Sequence, residues 1–402
     1  MTLLDDDLLG AANALLPGVV ELRRDLHRHP ELGLELPRTQ AAVLDALDDL
    51  GLEISVGEQL SSVVADLHGG RPGPTVLLRG DMDALPMPED TGLEFASTVE
   101  NTMHACGHDA HTAMLVGAAR LLAAHRDELA GNVRFMFQPG EEGSGGAALM
   151  IDEGVLDGVD GAFAIHIAPN VPAGIVAWRP GSAMASADEL TFVVTGRGGH
   201  ASSPHWALDP IPVACEIVLA LQSMITRTVD AFDPAVLTIA QISGGTVNNV
   251  IPESVTMHGT LRAVSERTRH AVWDRIRTVA AGVASAHGAE VEVVIQEGYP
   301  VTVNDPGFAA FVASVADDRL GAGRTYQLPN PVMGAEDFSF VLDRVPGAMV
   351  FLGVCPPENP NPFAAPSCHS NLMVLHEDNM ADGIALHAAV ATAFLDRGGR
   401  IT

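Results

Sequence analysis

Ten residues, Met103 to Thr112 (MHACGHDAHT), hold three imidazoles, a thiol and a carboxylate beside a glycine. Neutral imidazole and thiolate are ligands for zinc and its transition-metal neighbours, and Cys106-Gly107-His108 lets two donors approach one point from a bent backbone. Alone, the stretch fits a metal site and a helix start with a buried Cys and core His about equally well. Partners elsewhere in the chain decide between them.

Further donors stand at strand ends. Residues 75–79 form an apolar run between Gly73-Pro74 and Gly80, and GDMDALP follows, placing Asp81 and Asp83 where open α/β sheets bind ligands. A second strand, 132–138, runs into Pro139-Gly140-Glu141-Glu142-Gly143. On an extended segment Glu141 and Glu142 point to opposite sides, so one can bind a metal while the other handles a proton. A third strand, 162–167, carries His166 near its terminus, and His369 follows a Pro-rich loop beside Cys368. Cys106, His108, Glu142, His166 and His369 then make five metal donors, with Asp81, Asp83 and Asp109 as supporting carboxylates. Five donors exceed one tetrahedral zinc and point to two ions sharing a site.

The elements around these residues alternate between helix and strand. Amphipathic periodicity predicts helices over 19–29, stopped by Pro30, and over 39–50, stopped by Gly51, then strands at 62–67 and 75–79. Helices follow at 111–124 and 146–153. From Asp188 the pattern becomes strand 189–195, helix 210–228, strands 235–242 and 254–262, helix 266–287 and strand 290–296. That βαββαβ order is the ferredoxin-like arrangement. Alternation then resumes, with helix 307–318, strand 348–354 and helix 379–396. The chain therefore reads as one α/β catalytic domain, residues 1–185 and 298–402, interrupted by an α+β domain at 186–297.

Composition narrows the function. Twenty-two basic against 51 acidic residues give a formal net charge of −29, which argues against nucleic acid and anionic lipid as partners. There is no Lys, so every fixed cation is Arg. Four cysteines without a CxxC pair fit a reducing compartment. The first ten residues carry three Asp and no basic segment, unlike a signal peptide, and no apolar run approaches the roughly 20 residues of a membrane span. A cytoplasmic protein is expected.

GDMDALP, MHACGHDAHT, PGEEGSGGA, the GGHAS at 198–202, the GGTVNNVIPE at 244–253 and the MGAEDFS at 333–339 together resemble the aminoacylase/carboxypeptidase superfamily of di-metal amidohydrolases. The resemblance spans nearly the whole chain. It is to the branch of hippurate hydrolases, N-acyl-amino-acid amidohydrolases and auxin-conjugate hydrolases. It implies a zinc-peptidase-like α/β catalytic domain with an inserted ferredoxin-like lid or dimerisation domain. It also implies two divalent ions per subunit (Zn²⁺, Mn²⁺, Co²⁺ or Ni²⁺) held by Cys106, His108, Glu142, His166 and His369. In related branches the position of Asp81 is a histidine ligand and that of Cys106 a bridging aspartate; this chain follows the cysteine-bearing branch.

The activity so implied is hydrolysis of N-acyl-amino acids to a carboxylic acid and a free amino acid through a metal-bound hydroxide. Glu141 matches the general base, and His200 the donor to the oxyanion, across a dimer interface in some arrangements. For the substrate carboxylate the candidates are Arg262, whose guanidinium fork grips a carboxylate bidentately, and Asn249. A homodimer or higher homo-oligomer is expected from the resemblance. Glu336 and Asp337 lie in a family motif without an assigned role. The alternatives are a dipeptidase, a narrow biosynthetic deacylase such as one acting on N-acetyl-diaminopimelate, and an inactive protein that binds acylated amino acids.

Overall fold

The structure is a computed structural model and describes residues 7–401. The reading of the first ten residues falls mostly outside them. Internal contacts divide the chain into two units. The first runs to Ala183 and resumes over Val303–Asn330 and Asp337–Thr402; the second holds Met184–Thr302 and Pro331–Glu336.

The first unit is built on a mixed eight-stranded sheet. Its strands are β1 (Glu53–Val56), β2 (Val63–His68), β3 (Arg71–Asp81), β4 (Ala130–Gln138), β5 (Gly161–Ala168), β6 (Val176–Trp178), β15 (Thr325–Gln327) and β16 (Gly347–Gly353), in the order β1-β2-β4-β3-β5-β16-β6-β15. The central four, β4, β3, β5 and β16, are parallel. Parallel strands are covered on both faces, which is why β5 (GAFAIHIA) and β16 (GAMVFLG) read as nearly unbroken apolar runs. The helices of this unit are α1 (Leu8–Arg28), α2 (Pro37–Leu47), α3 (His108–Ala123), α4 (Gly146–Asp152), α7 (Pro306–Leu320), α8 (Ser339–Leu342) and α9 (Met380–Asp396). Helix α9 is buried nearly all round and packs against α1, α3 and α7.

Several element bounds differ from expectation. Helix α1 begins at Leu8, with Pro17 inside it. Helix α3 begins at His108, three residues earlier than the apolar stripe indicates. The short strands β1, β6 and β15 carry too little pattern to be read from sequence.

The chain passes between the units at the strands β7 (Gly181–Met184) and β14 (Thr302–Asn304). The second unit has the strands β8 (Asp188–Thr195), β9 (Gly199–His200), β10 (Ala235–Ser243), β11 (Val250–Ile251), β12 (Ser254–Ala263) and β13 (Glu290–Glu297), with helices α5 (Pro210–Thr228) and α6 (Glu266–His287). Four strands form an antiparallel sheet in the order β10-β12-β8-β13, the ferredoxin-like topology that the βαββαβ pattern predicts. Alternate residues of β8, Leu190, Phe192 and Val194, meet Val213, Ile217 and Leu221 of α5 and Val272 and Ile276 of α6 in one core. Helix α5 amends the sequence reading: by length and composition its 19 residues would suffice to cross a membrane. In the fold, its apolar stripe covers this sheet.

Candidate metal and catalytic site

Parallel strands end on one edge of a sheet, and the register of this one decides which residues share that edge. Asp81 of β3 pairs with Gln138 of β4, Arg79 pairs with Ala164 of β5, and His166, two residues further along β5, pairs with Phe351 of β16. Asp81, Gln138 and His166 therefore stand level. The turn after β4 adds Glu141 and Glu142, and the entry into α3 delivers Cys106, two residues before the helix, and His108, its first residue.

Glycine makes the last step possible. Gly107 adopts φ +89° as the residue before α3, and a Cβ there would lie 2.5 Å from Ile167 Cγ1, inside its side chain. Cys106 and His108 consequently turn inward together. Cys106, His108 and His166 offer ligand atoms within 4.8 Å of one another, and so do Cys106, Glu142 and His369. Cys106 belongs to both triads.

The imidazoles are held in the tautomer a metal requires. His108 Nδ1 donates to Asp83 O at 2.8 Å and His166 Nδ1 donates to Ile167 O at 2.7 Å, leaving each Nε2 lone pair facing the donor cluster. His166 Nε2 is 3.4 Å from Cys106 Sγ. His108 Nε2 is buried without a hydrogen-bond partner among the described residues. A buried lone pair left without a proton or a cation is costly, and a divalent ion would satisfy it. His369, in the left-handed region at φ +68°, is anchored by its N–H to Ala105 O at 2.8 Å and places Nε2 3.2 Å from Glu142 Oε1. By donor chemistry and tautomer, the residues fit two divalent ions.

Glu141 and Glu142 stand in a tight turn, not on an extended segment as the sequence reading assumed. Their separation comes from Asp83, whose two carboxylate oxygens accept the N–H groups of Glu141 and Glu142, each at 2.9 Å. Glu141 is buried with Oε2 4.0 Å from His108 Nε2, and Glu142 turns toward His369. Asp81 Oδ2 lies 3.5 Å from His108 Nε2, on the side of the ring that faces the donor cluster. Burial opposes the Asp81 charge, but Arg79, His108 and His111 outweigh it and hold the carboxyl well below the usual range.

His111 shares the donor-rich stretch yet has no lone pair to offer. Its Nε2 accepts the Ile167 N–H at 2.8 Å and its Nδ1 donates to Asp81 Oδ1 at 2.6 Å. Asp109 also points elsewhere, to Arg23 Nε at 2.7 Å and His27 Nδ1 at 2.8 Å, and so ties α3 to α1. Asp337 acquires a clear place: it accepts from Arg79 at 3.1 Å, from Gln138 Nε2 at 2.8 Å and from Ala147 N at 3.0 Å, stitching β3, β4 and α4 together. Arg79 and Gln138 were not singled out in the sequence, although their positions just before the two acidic motifs are the available signal.

In the second unit, β9 and β11 pair so that Val250 faces His200, and Ala201 N donates to Asn249 O at 3.1 Å. His200 and Asn249, 49 residues apart, thus lie side by side in solvent. His200 Nδ1 accepts the Ser202 N–H at 3.1 Å, which leaves the proton on Nε2 as an outward donor. Arg262 is half-buried near the end of β12, and among the described residues no carboxylate pairs with it; the buried Asp188 is taken by Arg269 at 2.5 Å. Burial accordingly lowers the Arg262 pKa, with Asp188 opposing.

Fold and site together define a zinc-peptidase-like α/β protein with an inserted α+β unit. The chain belongs to peptidase family M20/M25/M40, which it matches over residues 77–393. It is 39% identical over 383 residues to thermostable carboxypeptidase 1 of Saccharolobus solfataricus, covering 94% of this chain and 96% of the relative. It is 40% identical over 336 residues to an N-acetylcysteine deacetylase of Bacillus subtilis, covering 83% and 88%. Among solved structures, a dinuclear metal binding peptidase of the M20 family from Bacillus subtilis superposes with a TM-score of 0.83 at 35% identity, over 95% of this chain and 99% of that one.

Proposed function

We propose that this protein is a metal-dependent amidohydrolase that cleaves N-acyl-amino acids to a carboxylic acid and a free amino acid. The observation that carries the reading is the pair of donor triads sharing Cys106 next to a buried carboxylate, Glu141, that belongs to neither triad. Cys106, His108 and His166 would hold one divalent ion, and Cys106, Glu142 and His369 the other. When bound, two such ions polarise an amide carbonyl and acidify a water molecule.

The chain's own groups do the rest. Glu141 takes a proton from the attacking water and delivers it to the departing amine, a role for which Asp83 fixes its backbone. His200, in its Nε2–H tautomer, is the donor to the developing oxyanion, supplied by this chain or a second copy. Arg262, whose guanidinium pairs with no carboxylate among the described residues, and Asn249 receive the α-carboxylate of the substrate. We place the protein in the cytoplasm as a homo-oligomer. Four free thiols support the first statement, and the outer strand β10 with its exposed Val236 and Ile242 supports the second.

A second reading, peptide-bond cleavage at a free carboxyl end, draws on the likeness to a carboxypeptidase. One experiment addresses both. Chelator-treated protein is supplied in turn with Zn²⁺, Mn²⁺, Co²⁺ and Ni²⁺, and free amino acid is measured from N-acetyl-, N-benzoyl- and indoleacetyl-amino acids and from dipeptides. Metal-restored release from the acyl series is expected. Release from dipeptides alone favours the second reading, and no release from any substrate despite bound metal overturns both.

A further inference from the structure

One reactive side chain at the site has no part in the proposed hydrolysis. Cys368 precedes His369 and belongs to neither donor triad, yet its side chain reaches back to the backbone of Cys106. Its Sγ also lies 3.7 Å from Cys106 O and 3.9 Å from Ile167 O. The backbones run side by side here, because His369 N donates to Ala105 O at 2.8 Å. All four cysteines are free thiols, and in this pair the sulfur of one lies against the backbone of the other. Cys368 is partly exposed, whereas Cys106 is buried.

We propose that Cys106 and Cys368 are a redox pair that a peroxide converts to a disulfide when no metal occupies Cys106, removing the donor shared by both triads. The bonding follows from exposure. Cys368, the less buried residue of the pair, attacks hydrogen peroxide as thiolate, breaks the O–O bond and becomes a sulfenic acid, releasing hydroxide that takes up the thiol proton. Cys106 then attacks the Cys368 sulfur, the S–S bond forms and water leaves. In sum, two thiols and one peroxide give one disulfide and two waters. A bound ion would protect Cys106, so the bond forms in the metal-free protein. Sealing Cys106 in this way also keeps it from further oxidation to sulfinic acid, a step that reductant does not reverse.

The bond is independent of the catalytic reading; only its effect on metal rests on that reading. Chelator-treated protein is exposed to hydrogen peroxide, alkylated and digested with trypsin and a Glu-specific protease. These cut at Glu100, Arg120, Glu358 and Glu377, so that Cys106 and Cys368 fall in the peptides 101–120 and 359–377, with Cys355 in neither. A disulfide-linked pair of these peptides is expected. Zn²⁺ uptake should fall roughly tenfold or more, the scale seen when a metal site is disturbed, and recover with dithiothreitol. The Cys368→Ser protein should bind Zn²⁺ normally before peroxide and lose uptake irreversibly after it. Absence of the linked peptide, or recovery of Cys368→Ser equal to that of the natural protein, overturns the proposal. Neither readout depends on turnover, so failure of the amidohydrolase reading would be seen separately.

Discussion

The donor-bearing unit seals charge inside itself, with Arg23, Arg79, Asp81, Asp83 and Asp109 all at most 1% exposed, whereas the inserted unit leaves His200 and Asn249 in solvent. Burying a charge is expensive unless partners satisfy it, and such networks persist where geometry must be exact. In the first unit each buried group orients another: Asp337 holds Arg79, Arg79 holds Asp81, and Asp83 holds the turn of Glu141. In the inserted unit the core is apolar, and the doubly buried ion pair is Asp188 with Arg269. Its candidate functional groups instead sit where a ligand can reach them. The contrast is between charge spent on positioning and charge kept for contact.

The sharpest test of that contrast removes a proton carrier while leaving the positioning network whole. Glu141→Gln should lower kcat by about 10²- to 10⁴-fold with metal content unchanged, measured by steady-state kinetics and elemental analysis. Arg269→Ala acts on the other unit. It strands the Asp188 carboxylate in the interior and should cost about 3–5 kcal/mol in denaturant unfolding, without altering the metal content of the folded protein. If metal were lost in proportion, the division of labour between the units would fail.

Asp83→Asn keeps the shape of the side chain but weakens its acceptance of two N–H groups. It should lower metal affinity or activity about 10-fold, within the range for groups that orient ligands, and metal titration checks it. Arg262→Gln should raise KM by about tenfold with little change in kcat, since a contact made equally in ground and transition states acts on KM. An unchanged KM would remove Arg262 from the substrate's path.

The smallest effect concerns pH. Burial works against the Glu377 charge, and Arg24 and Arg23 outweigh it, holding its pKa below the ordinary value of about 4.3. A carboxylate depressed in the folded state contributes stability above its unfolded pKa and loses it as pH falls through the folded value. Natural protein should therefore exceed Glu377→Gln in unfolding free energy at pH 7, with the gap closing in acid below pH 4. A gap that persists there would mean that packing, not charge, anchors α1.

Much of this was legible because local rules carried it. The apolar runs of β3, β4 and β5 showed where strands end, and a strand end in a parallel sheet is a place for ligands. The ferredoxin-like unit could be read from the order of its elements, because each has a clear period of its own. Glu141 and Glu142 stand in a turn where alternation along an extended segment is expected, because the chain bends directly after β4 at Pro139-Gly140. His111 and Asp109, in one dense stretch with Cys106 and His108, could not be sorted by spacing, because a helix turn of 3.6 residues brings all of them near the same end.

By itself, the sequence determined the donor types, the strand ends that carry them, and the βαββαβ order of the insert. These depend on residue chemistry and on periodicities within a few residues. The tertiary structure decided which donors meet: Cys106 in both triads, His111 consumed by Asp81 and Ile167, Asp109 turned toward α1, and Asp83 gripping the Glu141 turn. Such outcomes rest on strand register and on packing between segments as far apart as Arg79 and Asp337, 258 residues distant. A shift of one residue in register would turn each strand's side chains to the opposite face, and that choice is made by the whole core.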